Sequence, residues 1–487
     1  MRRLFPLLSL ALLATGLTAC HRQPEGASKV VVIGAPPKLR DPIEGELAAS
    51  DAVLLQNVGQ GLVAFDANGN IVAGLAERWN VSDDGLSYIF RLAATKWPDG
   101  HKVTAQQVAR LLKREVGPRS KNPIKDALGA VEDIVAMTDR VVEIRLLAPR
   151  PNLLAVLAQP ELGIVRNGLG TGPFSIDPKA SEAGALRLVR DVLTPEEDLM
   201  RKEEVLLAGA DARHAIDGFI AGKSDMVLGG TFADLDYAQH ARLPRDTLRF
   251  DPVAGLFGFV PVRSGSPFDN ADLRRLLSQS INRDGLIAAL GVPGLGPRAT
   301  VLEAGLDGIA PPPPPAWMNA PLEARRNDLL AQAIRLFGNK PKPAIRLLLP
   351  QGAGADVLLR QLQGDWGALG FAVERASSES SADLRLIDAV APSTSPAWFV
   401  RAFRCGLVPV CDSTADQLMD AARSATISQQ RYALIVQAAA KIDDEQLFIA
   451  LGAPVRWSLV SGRIEGFAGN RFGVHTLTNL MTRPGGD

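Results

Sequence analysis

The chain is poor in cysteine, histidine and aromatic residues: its 487 residues include 3 Cys, 5 His and 5% Phe, Trp and Tyr. His21, His101, His214, His240 and His475 are scattered, with no spacing that would bring two ligands onto one ion, so no metal site is expected. A Gly-x-Ser-x-Gly elbow and a recognisable Cys/His pair are both missing, which deprives hydrolytic chemistry of an activated nucleophile. No catalytic residue and no cofactor are assigned. Lys+Arg and Asp+Glu balance at 53 each, and without a basic field no nucleic-acid partner is expected. Beyond Leu17 no apolar run reaches the ~20 residues of a spanning helix. Gly168-x-Gly170-x-Gly172 has the wrong spacing for a dinucleotide fingerprint, and Pro173 stands where its helix would begin. Asp83-Asp84-Gly85 and Trp97-Pro98-Asp99-Gly100 lack the alternating oxygen ligands of a calcium loop and read as turns.

What is present at the start is a basic pair, Arg2 and Arg3, an uncharged apolar run over 4–17, and Leu17-Thr18-Ala19-Cys20. This is the pattern of a secretory signal over 1–19 ending in a lipoprotein cleavage box, with Cys20 the residue expected to carry lipid. The protein is therefore expected in the periplasm, lipid-anchored to the membrane, with 20–28 as a polar tether. Once Cys20 is acylated, Cys405 and Cys411 remain as an even pair in an oxidising compartment, and a disulfide between them is expected.

The periodicities alternate between strands and helices, an α/β class with α+β elements. Strands are expected over 29–34, 62–65, 88–92, 141–146, 225–228, 344–349 and 384–387, where β-branched and aromatic residues cluster. Helices are expected over 53–62, 105–114 behind a Thr104 cap, 211–221 before Gly222, 270–291, 321–337 and 355–370. Asp66-Ala67-Asn68-Gly69-Asn70 has hairpin-turn chemistry, and the proline run 311–315 reads as a stiff loop.

Several blocks then occur in a telling order. Gly61-Leu62-Val63 is followed by Gly74-Leu75-Ala76-Glu77-Arg78-Trp79, then Asp83-Asp84-Gly85-Leu86-Ser87-Tyr88 and Trp97-Pro98-Asp99-Gly100; Gly170-Thr171-Gly172-Pro173-Phe174 and Ile281-Asn282-Arg283-Asp284 come later. The order resembles the family 5 extracellular solute-binding proteins, the peptide/nickel/opine class that serves ABC importers. The resemblance implies a two-lobed periplasmic binding protein fold with an extra domain and hinge-linked lobes. It divides the chain into domain I (29–52, 166–253 and 457–487), domain II (53–165) and domain III (254–456). Gly255, Gly258 and Gly462 are expected to give freedom at the crossings. The implied function is capture of an oligopeptide or similar organic solute between the lobes and its delivery to ABC permease subunits, by a monomer.

For the ligand, the resemblance aligns Ser395-Pro396 with an Asp-Pro pair whose carboxylate meets the peptide amine in peptide-binding relatives. A neutral Ser395 lacks that charge-assisted bond, which puts free-amine peptides in doubt and leaves Asp388 as a substitute acid. Trp398 and Phe399 are expected to line the cleft, Arg401 or Arg404 to meet an anionic group, and the strand carrying Phe257 and Phe259 to pair with an extended solute. Two other readings stay open: an exported hydrolase, and a binding lipoprotein that senses or scaffolds without a transporter.

Overall fold

A computed structural model describes residues 26–182, 184–194, 199–338, 340–478 and 480–482. The signal segment and Cys20 lie outside the described residues. Three large sheets carry the architecture. The first has seven strands in the order Ser175–Glu182, Ala185–Thr194, Leu199–Ala210, Ser28–Ile33, Met226–Thr231, Arg456–Val460 and Leu248–Phe250. Ser28–Ile33 runs parallel to both neighbours, with Val30 and Val32 buried on one face and Val31 and Ile33 half-buried on the other, which accounts for its run of Val and Ile. The long antiparallel extension 175–210 was not foreseen, because charged residues break the period of two along its strands: Arg187 and Arg190, three apart, pair with the adjacent Glu204 and Glu203.

The second sheet is antiparallel, in the order Ala76–Val81, Ser87–Leu92, Val141–Leu146 and Val131–Thr138. Tyr88, Phe90 and Leu92 point into the core while Ile89 and Arg91 face outward, the period of two expected of a half-buried strand. Helix Ala105–Val116 covers it, held at its start by a capping box in which Thr104 and Gln107 bond each other's backbone.

The third sheet runs Val373–Arg375, Ile345–Leu348, Leu384–Val390, Gly255–Pro261 and Ile449–Gly452. Gly255–Pro261 is buried at every position, because helices lie on both faces: 271–280 and 353–367 among those on one side, 396–401 and 428–444 among those on the other. The chain passes between the first and third sheets twice, through 251–254 and through 453–455. At the first passage Asp251 accepts from Asn470 N at 2.9 Å and from His475 Nε2 at 3.1 Å, so the passage is pinned from below.

Some expectations need correction. The single helix over 270–291 is two, Ala271–Ser280 and Arg283–Leu290, because Ile281 turns extended and Asn282 caps the second helix by accepting from Gly285 N. The break puts Arg283 into the core, where it donates to the carbonyls of Ser278, Arg298 and Ala450. The first helix is Ala49–Val58 and not 53–62; Ala48 offers no capping side chain, so nothing local marks its start. Gly258 is no hinge: it sits mid-strand, and a Cβ there would lie 2.3 Å from the Ile449 carbonyl and 2.7 Å from the Phe448 ring. Its role is close approach. The same holds for Gly172 in the Gly-Thr-Gly-Pro block, where a Cβ would meet the Gly59 carbonyl at 2.1 Å.

Candidate ligand site at the seam between sheets

The second and third sheets meet along a seam made by residues 149–159 on one side and 391–435 on the other. Gln159 Nε2 donates to the Pro392 carbonyl at 2.8 Å, and Thr394 Oγ1 donates to Asp307 Oδ2 at 2.6 Å and stands 3.0 Å from Asn152 Oδ1. Between these ties lies a cavity of about 60 Å³ bounded by Arg150, Trp398, Arg401, Arg423, Arg431 and Tyr432, with Ser395 at its edge. Its apolar wall is Leu153, Val156, Met419 and Ile435.

The helix Pro396–Arg401 brings three expected residues there. Ser395 is its N-cap position, with no capping bond from its side chain, and Pro396 opens the helix without an N–H to satisfy. Trp398 stands edge-to-face with Phe399 at 5.1 Å; Trp398 faces the cavity, whereas Phe399 is fully buried in the core below. Arg401 reaches across the seam and donates to the Asp126 carbonyl.

The remaining expected residues are placed elsewhere. Phe257 and Phe259 are fully buried, packed edge-on against Phe232 and Trp366, and present no surface to a solute. Their strand also cannot accept another, since Leu384–Val390 and Ile449–Gly452 already pair with its two edges. Asp388 accepts from Arg456 Nη1 at 2.8 Å, so its charge is spent inside the protein; burial pushes its carboxyl up against the pull of Arg456. Arg404 donates to Asp420 at 3.0 Å and lies beside the loop that the Cys405–Cys411 disulfide closes.

Sequence reasoning missed Arg150, Arg423, Arg431 and Tyr432. They come from a loop and, far along the chain from it, the consecutive helices Ser413–Ser424 and Ser428–Asp444, and carry no local signal. Arg431 is buried and held by the carbonyls of Pro149 and Ala425, each at 3.0 Å. Burial, with Arg431, Arg401 and Arg423 adding repulsion, pulls the Arg150 guanidinium down to about 10. Among the described residues no group of three or more His, Cys, Asp or Glu could hold a metal ion, and no helix is long and apolar enough to cross a membrane.

A family model for the bacterial extracellular solute-binding proteins, family 5 middle, matches residues 70–398. The chain belongs to this family. Its members are periplasmic binding proteins for peptides and other solutes, the binding class of ABC importers, and not an enzyme class. Among curated relatives, a probable di/tripeptide-binding protein of Pseudomonas aeruginosa is 24% identical over 87% of this chain and 89% of its own length. A probable deoxycholate-binding periplasmic protein of Escherichia coli is 30% identical, over 23% of this chain and 24% of its own length; this and other matches span about half or less of the relative. The Escherichia coli murein tripeptide binding protein MppA has the same two-lobed fold, with a TM-score of 0.81 at 17% identity over 95% of this chain and 99% of its own. The Haemophilus influenzae OppA complex with the peptide RPPGFSPFR superposes with a TM-score of 0.80, also at 17% identity, over 95% and 100%.

Proposed function

We propose that this family 5 protein captures an organic solute, an oligopeptide or a molecule of similar size, between its lobes and hands the closed form to ABC permease subunits. The observation that carries the reading is the pair of short passages, 251–254 and 453–455, that alone join the first and third sheets among the described strands. Two adjacent connections of this length permit one sheet to swing against the other, and solute binding energy drives the swing. Domain I is built on the seven-stranded sheet, domain II on the antiparallel four-stranded sheet and domain III on the five-stranded sheet, with the boundaries at 52/53, 165/166, 253/254 and 456/457. The protein works as a monomer in the periplasm, tethered through lipid on Cys20. Because Ser395 carries no charge and Asp388 is paired with Arg456, a free peptide amine finds no carboxylate at either position.

Native mass spectrometry of protein purified without refolding tests the reading. A bound organic solute, released on denaturation and restored by dialysis, is the expected result. A chain that carries no solute and shows no change in radius of gyration with periplasmic extract would overturn it.

A further inference from the structure

The seam cavity gathers four guanidinium groups, from Arg150, Arg401, Arg423 and Arg431, and no carboxylate among the described residues that line it. Their partners are weak for cations of this density. Arg431 bonds only carbonyls, and its Nε is buried with no hydrogen-bond partner. Arg401 meets the carbonyl of Asp126, and Arg150 donates to the carbonyl of Pro149 at 2.9 Å. Arg423 has a carboxylate, but Asp420 stands 3.7 Å away and is shared with Arg404. Like charges converging without a counter-charge are unfavourable unless an anion joins them, and planar guanidinium forks match a carboxylate or phosphoryl group in two-point contacts.

We propose that this cavity is an oxyanion subsite, in which Arg150 and the arginines of the facing helices close on one acidic group across the seam. A water needs roughly 10–15 Å³ of such space, so a volume of about 60 Å³ takes an oxyanion head and little more. Trp398, Tyr432 and the apolar wall of Leu153 and Val156 flank that head, and an uncharged body attached to it extends out of the cavity. The anion joins groups from the second-sheet and third-sheet sides of the seam, which makes it a latch between them as well as a selector of acidic solutes. The inference rests on the reading of the protein as an interlobe receptor.

The test uses the full exported chain at fixed ionic strength, with calorimetric titration of sodium sulfate, sodium phosphate, benzoate and benzamide against a chloride background. Sulfate or phosphate is expected to bind, and Arg401→Gln and the exposed Arg423→Gln each to weaken it at least tenfold with unchanged circular dichroism. Benzoate binding without benzamide binding assigns the head to an organic solute; inorganic anions binding alone make the occupant a free ion that latches the seam. Failure of all three anions, or binding that survives in both variants, overturns the proposal. A chain that still carries an uncharged solute while ignoring the anions loses this inference and keeps the receptor reading; one that binds sulfate through these arginines yet carries no solute does the reverse.

Discussion

Asp388 Oδ1 and Arg456 Nη1 meet at 2.8 Å, and Arg456 Nη2 also reaches the Asp388 carbonyl at 3.1 Å, beside the point where the chain leaves the third sheet for the first. Asp388 lies opposite Phe257 in the sheet, and Arg456 begins the strand Arg456–Val460 after the short passage 453–455. The ion pair therefore ties the two sheets together at their junction, and both side chains are largely shielded from water. An acid in this position is a structural strut before it is a ligand group.

Removing one member leaves the other charged and shielded, which costs more than the pair gains. Arg456→Met is expected to lose about 2 kcal/mol in urea unfolding, and Asp388→Asn with Arg456→Met to regain at least half of that. Equal losses in the single and the double variant would show that the two groups do not interact.

Gln159 crosses the seam to the Pro392 carbonyl while itself buried. Gln159→Ala is expected to cost about 1 kcal/mol and to raise the population of the open form, read as a larger radius of gyration in small-angle scattering. An unchanged scattering profile would place the contact outside the moving interface.

Burial pushes the Asp443 carboxyl up to about 7, with the Val301 N–H at 2.8 Å offsetting only part of that cost. The folded chain holds this proton to about pH 7, while the unfolded chain releases it near 3.8. Between those values the folded form binds more protons at this group, so its contribution to stability is fully present below the lower value, is lost as pH rises through the window and levels off above it. Asp443→Asn keeps an acceptor for Val301 and is expected to flatten the slope of melting temperature against pH from 4 to 7. Glu115, also pushed up to about 7 by burial, leaves a residual slope of the same sign. A profile identical to that of the parent protein would contradict the assignment.

The Cys405–Cys411 disulfide closes a loop with a separation of 6 residues. Loop entropy of that size corresponds to about 2 kcal/mol, which Cys411→Ser is expected to lose. Mass mapping of a non-reduced digest provides the direct check; both thiols alkylated without reduction would refute the bond in the exported protein.

Lipid anchoring is expected to need Cys20. A diacylglyceryl thioether plus an N-acyl chain supplies the several chains that stable attachment requires. Cys20→Ser should move the protein from the membrane pellet to the soluble fraction, and a variant that still sediments like the parent would end the anchoring proposal.

Most elements were legible because their signals are local. The Thr104 cap, the turn from Asp66 to Asn70 and the alternation of Tyr88, Phe90 and Leu92 each lie within a few residues of what they determine. The split at Ile281 was harder. The split places Arg283 beneath the carbonyls of Arg298 and Ala450, contacts about which the helical pattern of 270–291 says nothing.

The sequence by itself determined the class of the fold, the family and the pairing partner of each late cysteine, since each rests on residue type and order along the chain. Tertiary structure alone decided which candidates face a cleft. Phe257 and Phe259 have cleft-like chemistry but sit in a strand paired on both edges, while Arg150 and Arg431, 281 residues apart, share one cavity. The physical reason is that burial and charge convergence belong to the packing of distant segments, and a side chain's type fixes neither its neighbours nor its access to water.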